Sequence, residues 1–165
     1  TVRAIRATAS RVQALKTEAE ELETDIADLV ERMAPELLQL AGVGPISAAQ
    51  VLVSWTHPGR FRSEAAFAAF AGTAPIPASS GLTNRHRLNR TGDRQLNRAL
   101  HTIVMIRTRI DPATRNYILR RTAEGKSSRE ARRCLKRTVT RQIYKLLERT
   151  AAPTRTTLSP VAEAA

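Results

Sequence analysis

Residues 1–34 contain no glycine and no proline, and apolar or small side chains recur at Val12, Leu15, Ala19, Leu22, Ile26, Leu29 and Met33. The steps between them run 3, 4, 3, 4, 3, 4, which is the a/d heptad. Ile5 extends the series backwards, with Thr8 as its one weak position. A segment free of helix breakers and carrying this period is expected to be one long helix. Its apolar seam is narrower than the stripe by which a helix usually packs on its own domain. Acidic residues crowd its flanks: Glu18, Glu20, Glu21, Glu23, Asp25 and Asp28. The spacing therefore predicts a coiled coil over residues 1–34, with a second copy of the chain or with another helix of a longer protein. A helix lying on its own domain is the competing reading. Pro35 stops the helix.

Composition constrains the rest of the chain. Apolar residues make up 42% of it but aromatic ones only 4%, so the core must be small-residue helical packing with few large anchors. The formal net charge is +12, and it is unevenly placed. Residues 1–36 hold 5 basic against 8 acidic side chains, whereas residues 85–149 hold 19 against 5. Nearly all attraction for an anion lies in the second half, which points to nucleic acid first and an acidic membrane surface second. Arginine outnumbers lysine there, favouring specific phosphate or base contacts over diffuse attraction. Cys134 is the only cysteine, so no internal disulfide and no thiolate metal cluster can form. Its helical, basic surroundings read as those of a small buried residue. No apolar run reaches membrane length and no signal peptide precedes the chain, so a cytoplasmic, nucleoid-associated protein is expected. Thr1 in place of methionine marks the chain as a piece of a longer protein or a processed form.

Beyond Pro35, Gly42-Val43-Gly44 precedes Pro45, and Ala48, Ala49, Val51 and Leu52 mark the next helix. The segment is similar to a helix-hairpin-helix motif. Two glycines permit a tight hairpin whose backbone N–H groups can hold a phosphate, and proline suits the first helical turn. A helix corner with no ligand is the alternative. Ser63 is placed to cap a short helix from Glu64 to Ala71, with Phe61, Phe67 and Phe70 as its apolar payload. Asp93 opens a helix to about Arg109 with a stripe of Leu96, Leu100, Ile103, Val104 and Met105. Arg94, Arg98 and Arg107 fall off that stripe. His101 lies near it and reads as a packed core histidine, because no second metal ligand sits at helical spacing. Asp111-Pro112 starts a helix to about Ala123, and Ser127-x-x-Glu130 is a capping box opening a last helix to Thr150. One face of that helix is apolar: Ala131, Leu135, Val139, Ile143, Leu146 and Leu147. The other carries Arg129, Arg132, Arg133, Lys136, Arg137, Arg141 and Lys145, suited to a nucleic-acid backbone or merely solvated. Gly125-Lys126-Ser127 is not a phosphate-binding loop, since Arg120 stands where that motif requires glycine. Residues 151–165 read as a disordered tail. The fold class expected is all-α: a coiled-coil helix at 1–34, then a compact helical domain at 35–150.

The stretch from Pro75 to Arg98 is where chemistry is expected. Its first half has turn formers and no helical period: Pro75, Pro77, Ser79, Ser80, Gly81 and Asn84. Arg85, Arg87, Arg90, Arg94 and Arg98 come next. Residues 84–90 alternate enough to form a short hairpin arm. A hydroxyl next to glycine is unshielded, and guanidinium groups grip phosphate oxygens in bidentate fashion. A serine beside several arginines is what nucleophilic attack on a phosphodiester needs. Taken alone, the stretch reads equally as a solvated basic loop with a Ser-Gly turn.

Taken together, GVGPISAAQVL, the segment Phe61–Ser63, AFAGTAPIPASSG, RLNRTGDRQLNRAL and AEGKSSREARRCLKR resemble the C-terminal transposase domain of a bacterial insertion-sequence family. The family is the one named IS-one-ten, also IS-one-sixteen or IS-nine-oh-two. The similarity runs from about Leu37 to Leu147, and the preceding heptads match the coiled coil that joins this family's two domains. The resemblance implies a DNA recombinase with a serine nucleophile, here Ser80, with Ser79 one residue away as the alternative. It implies arginines after the serine, present as Arg85, Arg87 and Arg90. It also implies a separate RuvC-like domain whose DEDD carboxylates hold magnesium, and a bridge RNA that selects target and donor DNA. No DEDD constellation occurs in this chain, and no metal ligands are assigned to it. The expected partners are DNA, a bridge RNA and a second copy of the chain, with no membrane. Two other functions compete: a non-catalytic helix-hairpin-helix module binding DNA or RNA, and a coiled-coil dimeriser with a basic surface. Carboxylates at DEDD spacing upstream of Thr1 would separate them.

Overall fold

The computed structural model describes residues 1–78, 86, 87, 89 and 91–150. The fold is all-α. Among the described residues there are α1 (Val2–Met33), α2 (Pro35–Leu38), α3 (Pro45–Trp55), α4 (Glu64–Phe70), α5 (Arg94–Ile110), α6 (Pro112–Ala123) and α7 (Ser128–Thr150). A two-stranded antiparallel ribbon, β1 (Ile76–Pro77) and β2 (His86–Arg87), is inserted between α4 and α5. Of the hairpin arm read at residues 84–90, His86 and Arg87 form β2, with Ile76 opposite Arg87, while residues 84, 85, 88 and 90 lie outside the described residues.

Helix starts follow their caps. The Ser63 hydroxyl accepts from Ala66 N–H at 3.2 Å, and the Asp93 carboxylate from Gln95 and Leu96 at 2.8 and 3.0 Å. Asp111 accepts from Ala113 and Thr114, each at 3.2 Å. In the box at α7, Glu130 N–H donates to Ser127 Oγ at 3.3 Å while Glu130 Oε2 accepts from Ser127 N–H at 3.0 Å. Each cap satisfies donors that the first helical turn leaves open.

α3, α5 and α7 pack around one core, with α6 against α5 and α7, and α4 against α7. Its fully buried centre includes Leu37, Phe67, Leu96, Leu100, Ile103, Ile143 and Leu147. The apolar face expected of the last helix is buried in full. Phe61, Phe67 and Phe70 cluster with Tyr144, whose hydroxyl donates to Phe61 O at 3.0 Å. Trp55, the single tryptophan, donates from Nε1 to Glu148 Oε1 at 2.9 Å.

α1 is handled differently along its length. Its last turns pack on α3 through Ile26, Val30 and Ala34, with Val30 only 2% exposed. The heptad residues Val12, Leu22, Leu29 and Met33 remain 52–64% exposed. Of the heptad positions, only Ile26 joins that contact among the described residues; Val30 and Ala34, which carry most of it, lie off the heptad.

Three expectations change. His101 is exposed, because Leu100, Ile103 and Val104 take the core face and leave the intervening residue outside. Partial desolvation of its ring against α7, and then the nearby Lys136 and Arg132 charges, still hold its pKa below the ordinary imidazole value. Arg107 is half-buried rather than free, donating from Nε to Thr114 Oγ1 at 3.1 Å and from Nη1 to Gln142 Oε1 at 2.9 Å. It ties α5, α6 and α7 together. Cys134 is half-buried, on the wall of a basic cleft between α6 and α7.

Candidate nucleic-acid interface

Ser79, Ser80, Arg85 and Arg90 lie outside the described residues, as does the expected tail. The chain on either side of residues 79–85 is described, and it is firmly rooted. Asp93 N–H donates to Phe70 O at 2.7 Å, and Asn97 Nδ2 to Ala71 O at 2.7 Å. Gly92 sits at φ +99° with its α-carbon against Phe70 O, where a Cβ would collide. The buried Ser54 hydroxyl donates to Asp93 Oδ2 at 2.7 Å. Burial alone would raise the Asp93 pKa; the Ser54 hydroxyl and the Leu96 and Gln95 amides outweigh it and hold the carboxyl below its ordinary value.

Beside this root lies a cleft of about 840 Å³. Its walls are residues 72–75, the ribbon at Arg87 and Asn89, α6 at Tyr117 and Arg121, Lys126, and α7 from Glu130 to Thr138. Six basic side chains line it (Arg87, Arg121, Lys126, Arg133, Lys136 and Arg137) against one carboxylate, Glu130. Lys136 Nζ donates to Asn97 Oδ1 at 3.0 Å, so the residue that pins the loop root also fixes a cation of the cleft. Burial pushes the Lys136 pKa down. Arg137 pairs with Glu64, as does Arg141 at 3.1 Å, drawing both guanidinium groups toward the start of α4.

The structure therefore groups Arg87, Arg133, Lys136 and Arg137 of the expected contacts at one cleft. Gly44 and Arg98 meet elsewhere, in a groove of about 450 Å³ with Gln50 and Ile106. Arg94, Arg129 and Arg141 are exposed outside both. Arg132 is half-buried with its Nε lacking a hydrogen-bond partner among the described residues.

A helix-hairpin-helix is not shown at residues 35–55. α2 is a single turn of 4 residues. Gly42 has φ +81° and packs on α5, where a Cβ would lie 2.7 Å from Ile103 O and 2.9 Å from Arg107 N. Val43 N–H donates to Leu40 O at 3.0 Å, and Gly44 N–H to Ser47 Oγ at 3.0 Å. The first glycine thus answers to close backbone packing.

Tyr117 and Arg121 are not candidates in the sequence, and Lys126 enters there only within the rejected phosphate-loop motif. The signal was present, since Tyr117 and Arg121 are four apart and share a helix face. Among the described residues, no group of three or more His, Cys, Asp or Glu is placed to hold a metal ion. No helix among them is long and apolar enough to cross a membrane.

Comparison with known proteins gives a consistent picture. The family model described as "Transposase IS116/IS110/IS902 family" matches residues 34–119. The "Insertion element IS110 uncharacterized 43.6 kDa protein" of Streptomyces coelicolor is 35% identical over 126 residues, covering 74% of this chain and 31% of that protein. The "Insertion element IS900 uncharacterized 42 kDa protein" of Mycobacterium paratuberculosis is 32% identical over 127 residues, covering 74% of this chain and 32% of that protein. The chain thus spans about a third of the length of these curated relatives.

Proposed function

The chain belongs to the IS116/IS110/IS902 transposase family, and from that premise we propose that it carries the nucleophile of a DNA transposase. Ser80 attacks a DNA phosphodiester. A bond forms between its oxygen and phosphorus as the serine O–H gives up its proton, one bridging P–O bond breaks, and the departing deoxyribose oxygen takes up a proton in exchange, so that none is gained or lost overall. The product is a phosphoserine link that conserves the energy of the phosphodiester for rejoining. Ser79 is the alternative nucleophile. Arg85, Arg87 and Arg90 clamp the scissile phosphate and stabilise its developing charge. The observation that carries this reading is the family match, whose residues 34–119 enclose both serines and all three arginines.

Several parts lie beyond this chain. A bridge RNA selects the DNA sites, and a RuvC-like domain supplies magnesium on DEDD carboxylates. Among the described residues, no cluster of His, Cys, Asp or Glu fits that ion. Two copies associate through the seam of α1. The chain alone binds DNA without cleaving it.

The test is adduct trapping in the full-length protein with its RNA and DNA. Ser80→Ala abolishes the covalent protein–DNA species on denaturing gels and leaves DNA binding nearly intact, since it removes one oxygen and no charge. Arg87→Ala weakens both. Mass spectrometry of the linked peptide assigns the serine. An adduct that survives the Ser79→Ala/Ser80→Ala double variant refutes the mechanism.

A further inference from the structure

The cleft beside the loop root is built from recessed cations. Arg121, Lys136 and Arg137 are half-buried, and each already has a protein partner: Glu124 at 2.6 Å on the surface, Asn97 at 3.0 Å, and Glu64. Cations already held in place lose little freedom when an anion arrives. Arg121 Nε is buried without a hydrogen-bond partner among the described residues. Tyr117 stands on the same wall, half-buried, with the Arg120 guanidinium 5.7 Å from its ring centroid.

These features select one kind of ligand. A volume of about 840 Å³ lies in the range that encloses a single small ligand. On that scale it takes on the order of one or two nucleotides of one strand, not both strands of a duplex. Cations along a groove with an aromatic face among them form the pattern by which unpaired strands are held. A duplex would instead meet the exposed Arg129 and Arg141 on the outside of α7. We propose that the cleft holds unpaired nucleotides of a DNA strand. Arg121 and Lys136 take its phosphates, and the Tyr117 ring stacks on a base. This placement rests on reading the chain as the DNA-attacking part of a transposase.

Cys134, on the cleft wall, is a built-in reporter. In the full-length protein, alkylation of Cys134 by iodoacetamide is followed by peptide mass spectrometry. Three probes of one sequence are compared: single-stranded DNA, the same DNA as a duplex, and single-stranded RNA. Single-stranded DNA should slow alkylation about tenfold, and the duplex should not. Tyr117→Ala should weaken single-strand affinity about tenfold, and Tyr117→Phe should restore it. If Tyr117→Ala fails to fold by circular dichroism, Lys126→Glu at the rim reads the same loss. Equal protection by duplex, protection by RNA alone, or no protection overturns the proposal. Protection without a serine adduct would sink the serine chemistry and keep the cleft; an adduct with Cys134 unprotected would do the reverse.

Discussion

Asp93 performs three tasks at once. It caps α5, accepts the Ser54 hydroxyl, and through its own N–H holds Phe70 O. Its pKa is depressed below the ordinary value of about 3.8. A depressed carboxyl contributes stability that is complete above the unfolded value and lost as pH falls through the folded one. Asp93→Ala should therefore cost about 1 kcal/mol near neutral pH in urea unfolding. It should also flatten the loss of stability that the parent shows below about pH 4. An acid limb identical to the parent's would rule this role out. The neighbouring Gly92→Ala should cost about 1–3 kcal/mol, since it places a Cβ against Phe70 O at positive φ. The cap itself was legible in the sequence because capping is local. The Ser54 contact, 39 residues away, was not. Nor was the packing role of Gly42, because a turn glycine and a glycine pressed against another helix look alike in one dimension. His101 was misplaced for a related reason: one residue along a helix is roughly 100° around it.

At the scale of elements, helix positions were readable because breakers and caps coincide with changes of period at Pro35, Asp93, Asp111 and Ser127. What periodicity could not show was that α1 uses two adjacent stripes. Substitutions should separate them. Leu22→Asp with Leu29→Asp places charge on the free seam; sedimentation should then show a monomer where the parent is dimeric, with thermal unfolding of the compact part unchanged. A parent that is monomeric at micromolar concentration would remove the seam from assembly. Val30→Ala acts on the other stripe and should cost roughly 2 kcal/mol by leaving a cavity under α1. The cleft was half legible for a different reason. Arg133, Lys136 and Arg137 announce a basic face on α7, but the opposing wall from α6 arises only when the two helices pack.

At the scale of the whole molecule, charge is segregated: the net is −3 over residues 1–36 and +14 over residues 85–149. DNA affinity should fall steeply with salt, as each neutralised phosphate releases counterions. Arg129→Glu with Arg133→Glu should weaken binding to every sequence about equally and reduce the log–log salt slope by about 2. A slope unchanged in filter binding would place the contacts elsewhere. α1 adds a consequence of another kind. It is about 48 Å long, and among the described residues Val12, Leu15, Leu22 and Leu29 on its apolar side stay exposed. A lone helix has only its hydrogen bonds and local pairs to keep it wound. On the proposed pairing of two copies, coil formation and association become a single equilibrium, and dilution should act on about the first 20 residues much as a denaturant would. Mean residue ellipticity should rise with protein concentration, making helicity itself a readout of how many copies are present.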